Sequence, residues 1–283
     1  MNAKGIQELI AALRTVADLI VVAPDGPRSG SSGAITSEHP LRCTKMRQEP
    51  GLIVYKCSGS PVDCVKLALH ALVPRKPDMV IGGINHGDNS SVNVHYSGTM
   101  GVVIEGCLKG IPSVGFSLCN HSADADFSAT LPYVRRIVEE VLAKELPVGK
   151  CLNVNFPDTN ELKGVRICRQ TDGVWTNEFV KADHPRGGYY YWLTGEYQNN
   201  EPDAEDTDHW ALEHGYVAIT PTQIDVTAYS LMEDLKHWNW NLITPWGSIS
   251  VQQLSKLHYW IRIFILYSPI MSVIMPIFRK LWQ

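Results

Sequence analysis

Between residues 19 and 168, short apolar, β-branched runs alternate with helical stretches, and no other feature of the sequence limits the fold as strongly. Leu19–Ala23, Leu52–Cys57, Met79–Ile81, Ser113–Leu118, Leu152–Phe156 and Val165–Cys168 read as strands. Ser97–Leu108 and Leu131–Leu142 read as helices. Ile6, Leu9, Ile10 and Leu13 fall at i, i+3, i+4 and i+7, which predicts an amphipathic helix over residues 3–17. Ser60-Pro61-Val62-Asp63 offers an N-cap, a proline at the first helical position and a carboxylate at the third. That opens a helix to about Leu72 and makes Asp63 a capping residue. Short strands alternating with helices of this length predict an α/β fold, a mostly parallel sheet covered on both faces.

Ligands of such sheets bind at the carboxyl ends of the strands. The loops after Ala23, Ile81 and Leu118 therefore form the working edge. Asp172–Asp208 is polar and aromatic-rich, irregular apart from Tyr189–Leu193, and reads as a β-rich arm. Tyr216–Thr220 resumes a strand that Pro221 ends. A doubly wound sheet usually begins with a strand, whereas this chain opens on a helix, so a central strand is expected ahead of it.

Charge and cysteine usage narrow the class. A net charge of −4 and 19% charged residues argue against a general nucleic-acid binder, and no contact with a nucleic-acid duplex is expected. The seven cysteines form no C-x-x-C pair and several sit in apolar runs, as reduced thiols of a cytoplasmic protein do. Met1–Lys4 is polar and leads into the first helix, unlike a secretory signal.

Three loops carry groups suited to an anion. Gly26-Pro27-Arg28-Ser29-Gly30-Ser31-Ser32-Gly33 combines flexible backbone, hydroxyls and a fixed cation. Gly82-Gly83-Ile84-Asn85-His86-Gly87-Asp88-Asn89 leaves a strand with two amide side chains, and its His86 reads as a surface residue rather than a catalytic one. Tyr96-Ser97-Gly98-Thr99 opens a helix with a hydroxyl N-cap, and such a terminus suits phosphate. Asp225 and Thr227 read as solvated loop residues. Each loop alone is equally readable as a turn or an ordinary cap.

Taken in order, the motifs are more specific. Ala-x-Gly-Ile at 3–6, V-V-A-P-D-x-x-R-S-G at 21–30, G-S-P-V-D-C-V at 59–65, G-G-I-N-x-G-x-N at 82–89, Y-S-G-T at 96–99, L-N-V-N-F-P at 152–157 and G-Y-V-A-I-T-P at 215–221 resemble the SurE family of nucleotidases. The likeness covers residues 1–238. It implies a Rossmann-like core and release of phosphate from nucleoside 5′- and 3′-monophosphates, with a divalent cation (Mg²⁺ or Mn²⁺). It also implies metal ligands at Ser29 and Asn85, phosphate-site residues Asn89, Ser97, Gly98 and Thr99, and a homo-oligomer (dimer or tetramer) in which the Tyr189–Trp192 arm is exchanged. The family's paired aspartates belong to an N-D-D-G segment that would precede Met1, so a non-catalytic nucleotide binder is the alternative. A glycosyltransferase-like α/β domain fits less well, because no D-x-D motif is present.

Composition also sets the C-terminus apart. All 29 acidic residues lie at or before Asp234, and five of the eight tryptophans follow it. The expected division is a phosphatase domain over residues 1–244 and an atypical tail over 245–283. Within the tail Ile263–Phe278 is uncharged and flanked by basic residues, but it is too short and proline-broken to span a bilayer. At most it lies at a membrane surface.

Overall fold

The computed structural model describes residues 3–238. By its internal contacts the chain divides into Met1–Val226 and Thr227–Gln283. The proposed tail, 245–283, lies outside the described residues.

In the first unit the order is α1 (Lys4–Leu13), β1 (Leu19–Pro24), β2 (Cys43–Glu49), β3 (Leu52–Cys57), α2 (Pro61–Leu67), β4 (Val80–His86), α3 (Gly98–Leu108), β5 (Ser113–Leu118), α4 (Leu131–Lys144), β6 (Lys150–Phe156) and β7 (Val165–Ile167). The arm follows as β8 (Gly173–Thr176), β9 (Phe179–Asp183), β10 (Tyr189–Leu193) and β11 (Glu196–Asn199), and the unit closes with α5 (Asp208–Glu213) and β12 (Val217–Gln223). The second unit contains α6 (Tyr229–Lys236) among its described residues.

The core is a five-stranded sheet in the order β4-β5-β6-β12-β7 and a three-stranded sheet in the order β1-β3-β2. β4, β5 and β6 run parallel, as do β1 and β3, while β12 is antiparallel to β6 and β2 to β3. All six residues of β5 are buried, as a parallel strand covered on both faces requires. β1 and β4 are end strands of their sheets, and α1 bridges the two. Its Ile6 and Ile10 pack on Leu19, Val21, Leu52 and Val54, while its Leu9, Ala12 and Leu13 join the cluster of Ile84, Val114, Phe116 and Phe156. Fully burying a phenylalanine such as Phe116 contributes about 2–3 kcal/mol.

The arrangement is the expected α/β one, with four local differences. The expected strand at Met79–Ile81 instead covers Val80–His86, so the first glycines of the Asn/Gly motif are strand rather than loop. The backbone ladder to β5 resumes at Asn85 after a bulge, and pairing with a buried neighbour outweighs the turn preference of glycine. β2 was not legible, because five of its seven residues are exposed and carry no apolar alternation. The arm is more regular than its composition suggests: β8 pairs with β11 and β9 with β10, both antiparallel. Finally, Pro221 lies within β12. The pairing to β7 stops at Ile219, so beyond it only one side of the strand is hydrogen-bonded and a residue without an N–H fits.

Candidate active site

The working edge is assembled around the N-terminus of α3. Ser97 is its N-cap and accepts a hydrogen bond from the Met100 N–H at 3.0 Å. The next backbone donor, the Gly101 N–H, reaches the Ser97 carbonyl at 3.0 Å. The Gly98 and Thr99 N–H groups precede the first intrahelical bonds and stand at the positive end of the helix dipole.

The Gly/Ser loop is docked on this terminus. The Ser32 N–H donates to the Tyr96 carbonyl at 3.0 Å and the Ser32 hydroxyl to the His95 carbonyl at 2.6 Å. The approach is close enough that a Cβ on Gly98 would lie 2.7 Å from Ser31 Oγ, and one on Gly101 would lie 2.3 Å from the Ser32 carbonyl oxygen. Those two glycines let the loop and the helix start come together.

Asp63 holds the far end of the loop, as its capping-box position predicts. Its carboxylate accepts from the Ser60 N–H at 2.8 Å and from the Thr36 N–H at 3.1 Å, and the Ser60 hydroxyl donates to the Ala34 carbonyl at 2.6 Å. Burial alone would raise the Asp63 carboxyl, but the hydrogen bonds from Thr36 and Ser60 hold it below the usual range. Asp63 therefore positions the loop and takes no direct part at the edge.

The turn after β4 is fixed from below by β6. Asn153 and Asn155 are two residues apart and project from the same face of that strand, both buried. The Asn155 side-chain oxygen accepts from the Asn89 N–H at 2.7 Å, Asn153 Nδ2 donates to the Asn89 carbonyl at 2.7 Å, and the two asparagines are joined at 3.0 Å. Asn89 is itself buried, and its Nδ2 donates to Ser117 Oγ at 2.5 Å. The L-N-V-N-F-P motif is thus a clamp for this turn.

Asn85 is half-buried; its Nδ2 donates to the Gly87 carbonyl at 2.7 Å, which leaves its side-chain oxygen as an acceptor. Ser29 is exposed in the docked loop. Both present neutral oxygens of the kind a hard divalent cation takes. Among the described residues, no group of three or more His, Cys, Asp or Glu side chains gathers at a metal-binding spacing. In donor chemistry both side chains fit such a cation.

His86 has a structural role. Its Nε2 accepts the Gly5 N–H at 3.2 Å, its Nδ1 lies 2.8 Å from the Ser122 carbonyl, and its ring meets Phe127 edge-on at 5.0 Å. With both nitrogens engaged, the imidazole ties α1 to the loop after β5. Asp225 and Thr227 are exposed, as expected of loop residues. All seven cysteines are free.

Sequence reading missed several residues here. The exposed His121 lies with its ring over Gly87, close enough that a Cβ on Gly87 would meet His121 Cε1 at 2.3 Å. Asp88, Trp175, Tyr197 and His209 meet beside the same turn. Trp175 and Tyr197 stand opposite each other across the β8–β11 ladder, so recognising β8 and β11 as partners was the signal that would have brought them together.

Comparison with known proteins agrees with this arrangement. The "Survival protein SurE" family matches residues 1–177. The chain is 72% identical over 239 residues to the 5′-nucleotidase SurE of Phocaeicola vulgatus, covering 84% of this chain and 93% of that protein. It is 58% identical over 233 residues to the 5′-nucleotidase SurE of Bacteroides thetaiotaomicron, covering 82% and 90%. The crystal structure of the SurE protein from Aquifex aeolicus superposes with a TM-score of 0.71 at 33% identity, covering 82% of this chain and 93% of that one. With the fold, the motif order and the relatives in agreement, this chain belongs to the SurE family.

Proposed function

We propose that the protein is a metal-dependent phosphomonoesterase that releases phosphate from nucleoside 5′- and 3′-monophosphates. The observation that carries this reading is the docking of the Gly/Ser loop on the N-terminus of α3, which sets the loop beside the Gly98 and Thr99 N–H groups at the positive helix end. The names of the relatives, 5′-nucleotidase, support the substrate class.

In this reading Ser97, Gly98 and Thr99 cradle the phosphoryl group. The two backbone N–H groups donate to its oxygens and are already oriented, so no reorganisation is needed as charge shifts during reaction. Asn89 holds the turn at the depth the phosphate requires. Ser29 and Asn85 would hold a divalent cation through their neutral side-chain oxygens. When bound, such a cation would supply positive charge against developing negative charge and lower the pKa of a water it holds.

Phosphate release from adenosine 5′- and 3′-monophosphate, measured with Mn²⁺, after chelation and after metal is restored, tests the proposal. Release should stop on chelation and return with Mn²⁺ or Mg²⁺. Full activity after chelation would remove the metal from the reading. Absence of release from every nucleotide with Mn²⁺ present would leave a nucleotide-binding protein without catalysis.

We also infer a homo-oligomer formed through the β9–β10 hairpin. Phe179, Tyr191 and Trp192 are 63%, 57% and 63% exposed, and Tyr189, Tyr190 and Leu193 are exposed beside them. Large apolar side chains on both faces of a two-stranded ribbon call for a partner. Replacing Tyr190 and Trp192 by serine should shift the protein to a smaller species in light scattering and leave its melting temperature within a few degrees. An unchanged mass would assign the arm another role.

Among the described residues no helix is long and apolar enough to cross a membrane.

A further inference from the structure

Beside the Asn85–Asn89 turn lies a cavity of about 90 Å³, lined by Asp88, Ser90, Asn93, Trp175, Tyr197 and His209. At roughly 10–15 Å³ per water it holds about six to nine, which is room for one flat ring.

Its walls are aromatic and fixed. Trp175 and Tyr197 meet edge-to-face at 5.9 Å, and His209 stacks on Tyr197 at 4.8 Å. Trp175 Nε1 donates to Asn93 Oδ1 at 2.8 Å, and the Tyr197 hydroxyl donates to Ser91 Oγ at 2.7 Å. Burial pushes the Tyr197 phenol up, so it stays a neutral donor.

The polar groups converge on one carboxylate oxygen. Asp88 Oδ2 accepts from the Ser90 hydroxyl at 2.5 Å, the Ser90 N–H at 3.3 Å and Asn93 Nδ2 at 3.2 Å. Asp88 Oδ1 receives no hydrogen bond from the described residues. A half-buried carboxylate repels phosphate, and with one oxygen unpaired it selects a ligand that presents N–H donors.

We propose that this cavity is a nucleobase subsite, in which Asp88 Oδ1 accepts from the edge of a base stacked against Trp175 and met edge-on by Tyr197, with preference for guanine. Guanine places a ring N–H and an exocyclic amine side by side. Adenine and cytosine set a ring acceptor beside their amine, and uracil flanks its N–H with two carbonyls, so each brings a lone pair towards the carboxylate. The assignment rests on the neighbouring turn being the phosphate site.

The test compares guanosine 5′-monophosphate with ribose 5-phosphate, which has no base, as substrates of wild type, Asp88→Asn and Trp175→Leu. Asparagine keeps an acceptor for Ser90 and Asn93 and turns a donor towards the base. Both variants should lose roughly 10- to 100-fold in kcat/KM for the guanosine nucleotide, the worth of a hydrogen bond to a charged group for Asp88→Asn and of base–aromatic stacking for Trp175→Leu, and change less than twofold on ribose 5-phosphate. Equal losses on both substrates, or no loss on either, would overturn the subsite. Calorimetric titration with guanosine separates this from failure of the phosphatase reading. If wild type hydrolyses neither ester, guanosine binding that Asp88→Asn abolishes still supports the subsite, and absence of guanosine binding overturns it.

Discussion

Replacing Asn85 by alanine should lower kcat/KM for adenosine 5′-monophosphate by two to three orders of magnitude, roughly the effect of losing one preorganised polar group at the reacting centre. The side chain offers an oxygen to the site while its Nδ2 is held by the Gly87 carbonyl at 2.7 Å, so its orientation is set before any ligand arrives. The stability loss should be small by comparison. One hydrogen bond contributes about 1 kcal/mol, which for a unit of this size shifts the melting temperature by roughly 2–4 °C. Steady-state kinetics and a thermal melt on the same preparation separate the two effects. A fall of only a few-fold, with folding intact, would remove Asn85 from the metal site and leave the phosphate role of the Ser97-Gly98-Thr99 turn untouched.

The second large effect concerns stability. A Cβ on Gly5 would lie 2.1 Å from the Ile84 carbonyl oxygen and 3.3 Å from the Phe127 ring. The obstructing atom belongs to the backbone of β4 and has no rotamer to escape into, so α1 must slide along the sheet. Sliding breaks the bond between the Gly5 N–H and His86 Nε2 and lifts Leu9 and Leu13 from the core. Gly5→Ala should therefore cost about 3 kcal/mol, at the upper part of the usual range for overpacking, and lower the melting temperature by roughly 6–12 °C. Gly33→Ala is the control. A Cβ there meets nothing within 4 Å, so this change should be neutral or stabilise by less than about 1 kcal/mol. If the two variants melted together, α1 would not be seated on β4 as closely as the geometry requires.

Much of the core and the separate loops of the site were legible in one dimension. Strands such as Leu52–Cys57 and Ser113–Leu118 carry their own signal in short, largely apolar runs, and the predicted bounds match β3 and β5. The Ser60–Asp63 cap and the Ser97 cap were equally local, because each is a contact between residues three apart. Ser29, Asn85, Asn89 and the Ser97-Gly98-Thr99 turn were named as separate loops or through family likeness, and no local pattern brings them together.

The sequence by itself determined the class of fold and the local endings of its elements, since periodicity and capping act over a few residues. Only the tertiary structure decided what depends on contacts between distant segments. The docking of Ser32 on His95 and Tyr96 spans more than sixty positions, the clamp of Asn155 on Asn89 spans 66, and the bond from Trp175 to Asn93 spans 82. β2 is a strand because a neighbour completes its backbone hydrogen bonds, although its own side chains show no buried face, and β8 and β11 become a ladder only by pairing with each other. His86 looked like a loop residue until folding brought Gly5 and Ser122 to its two nitrogens. These pairings are set by where the sheet and helices bring the chain back on itself, which side-chain order along a single segment does not encode.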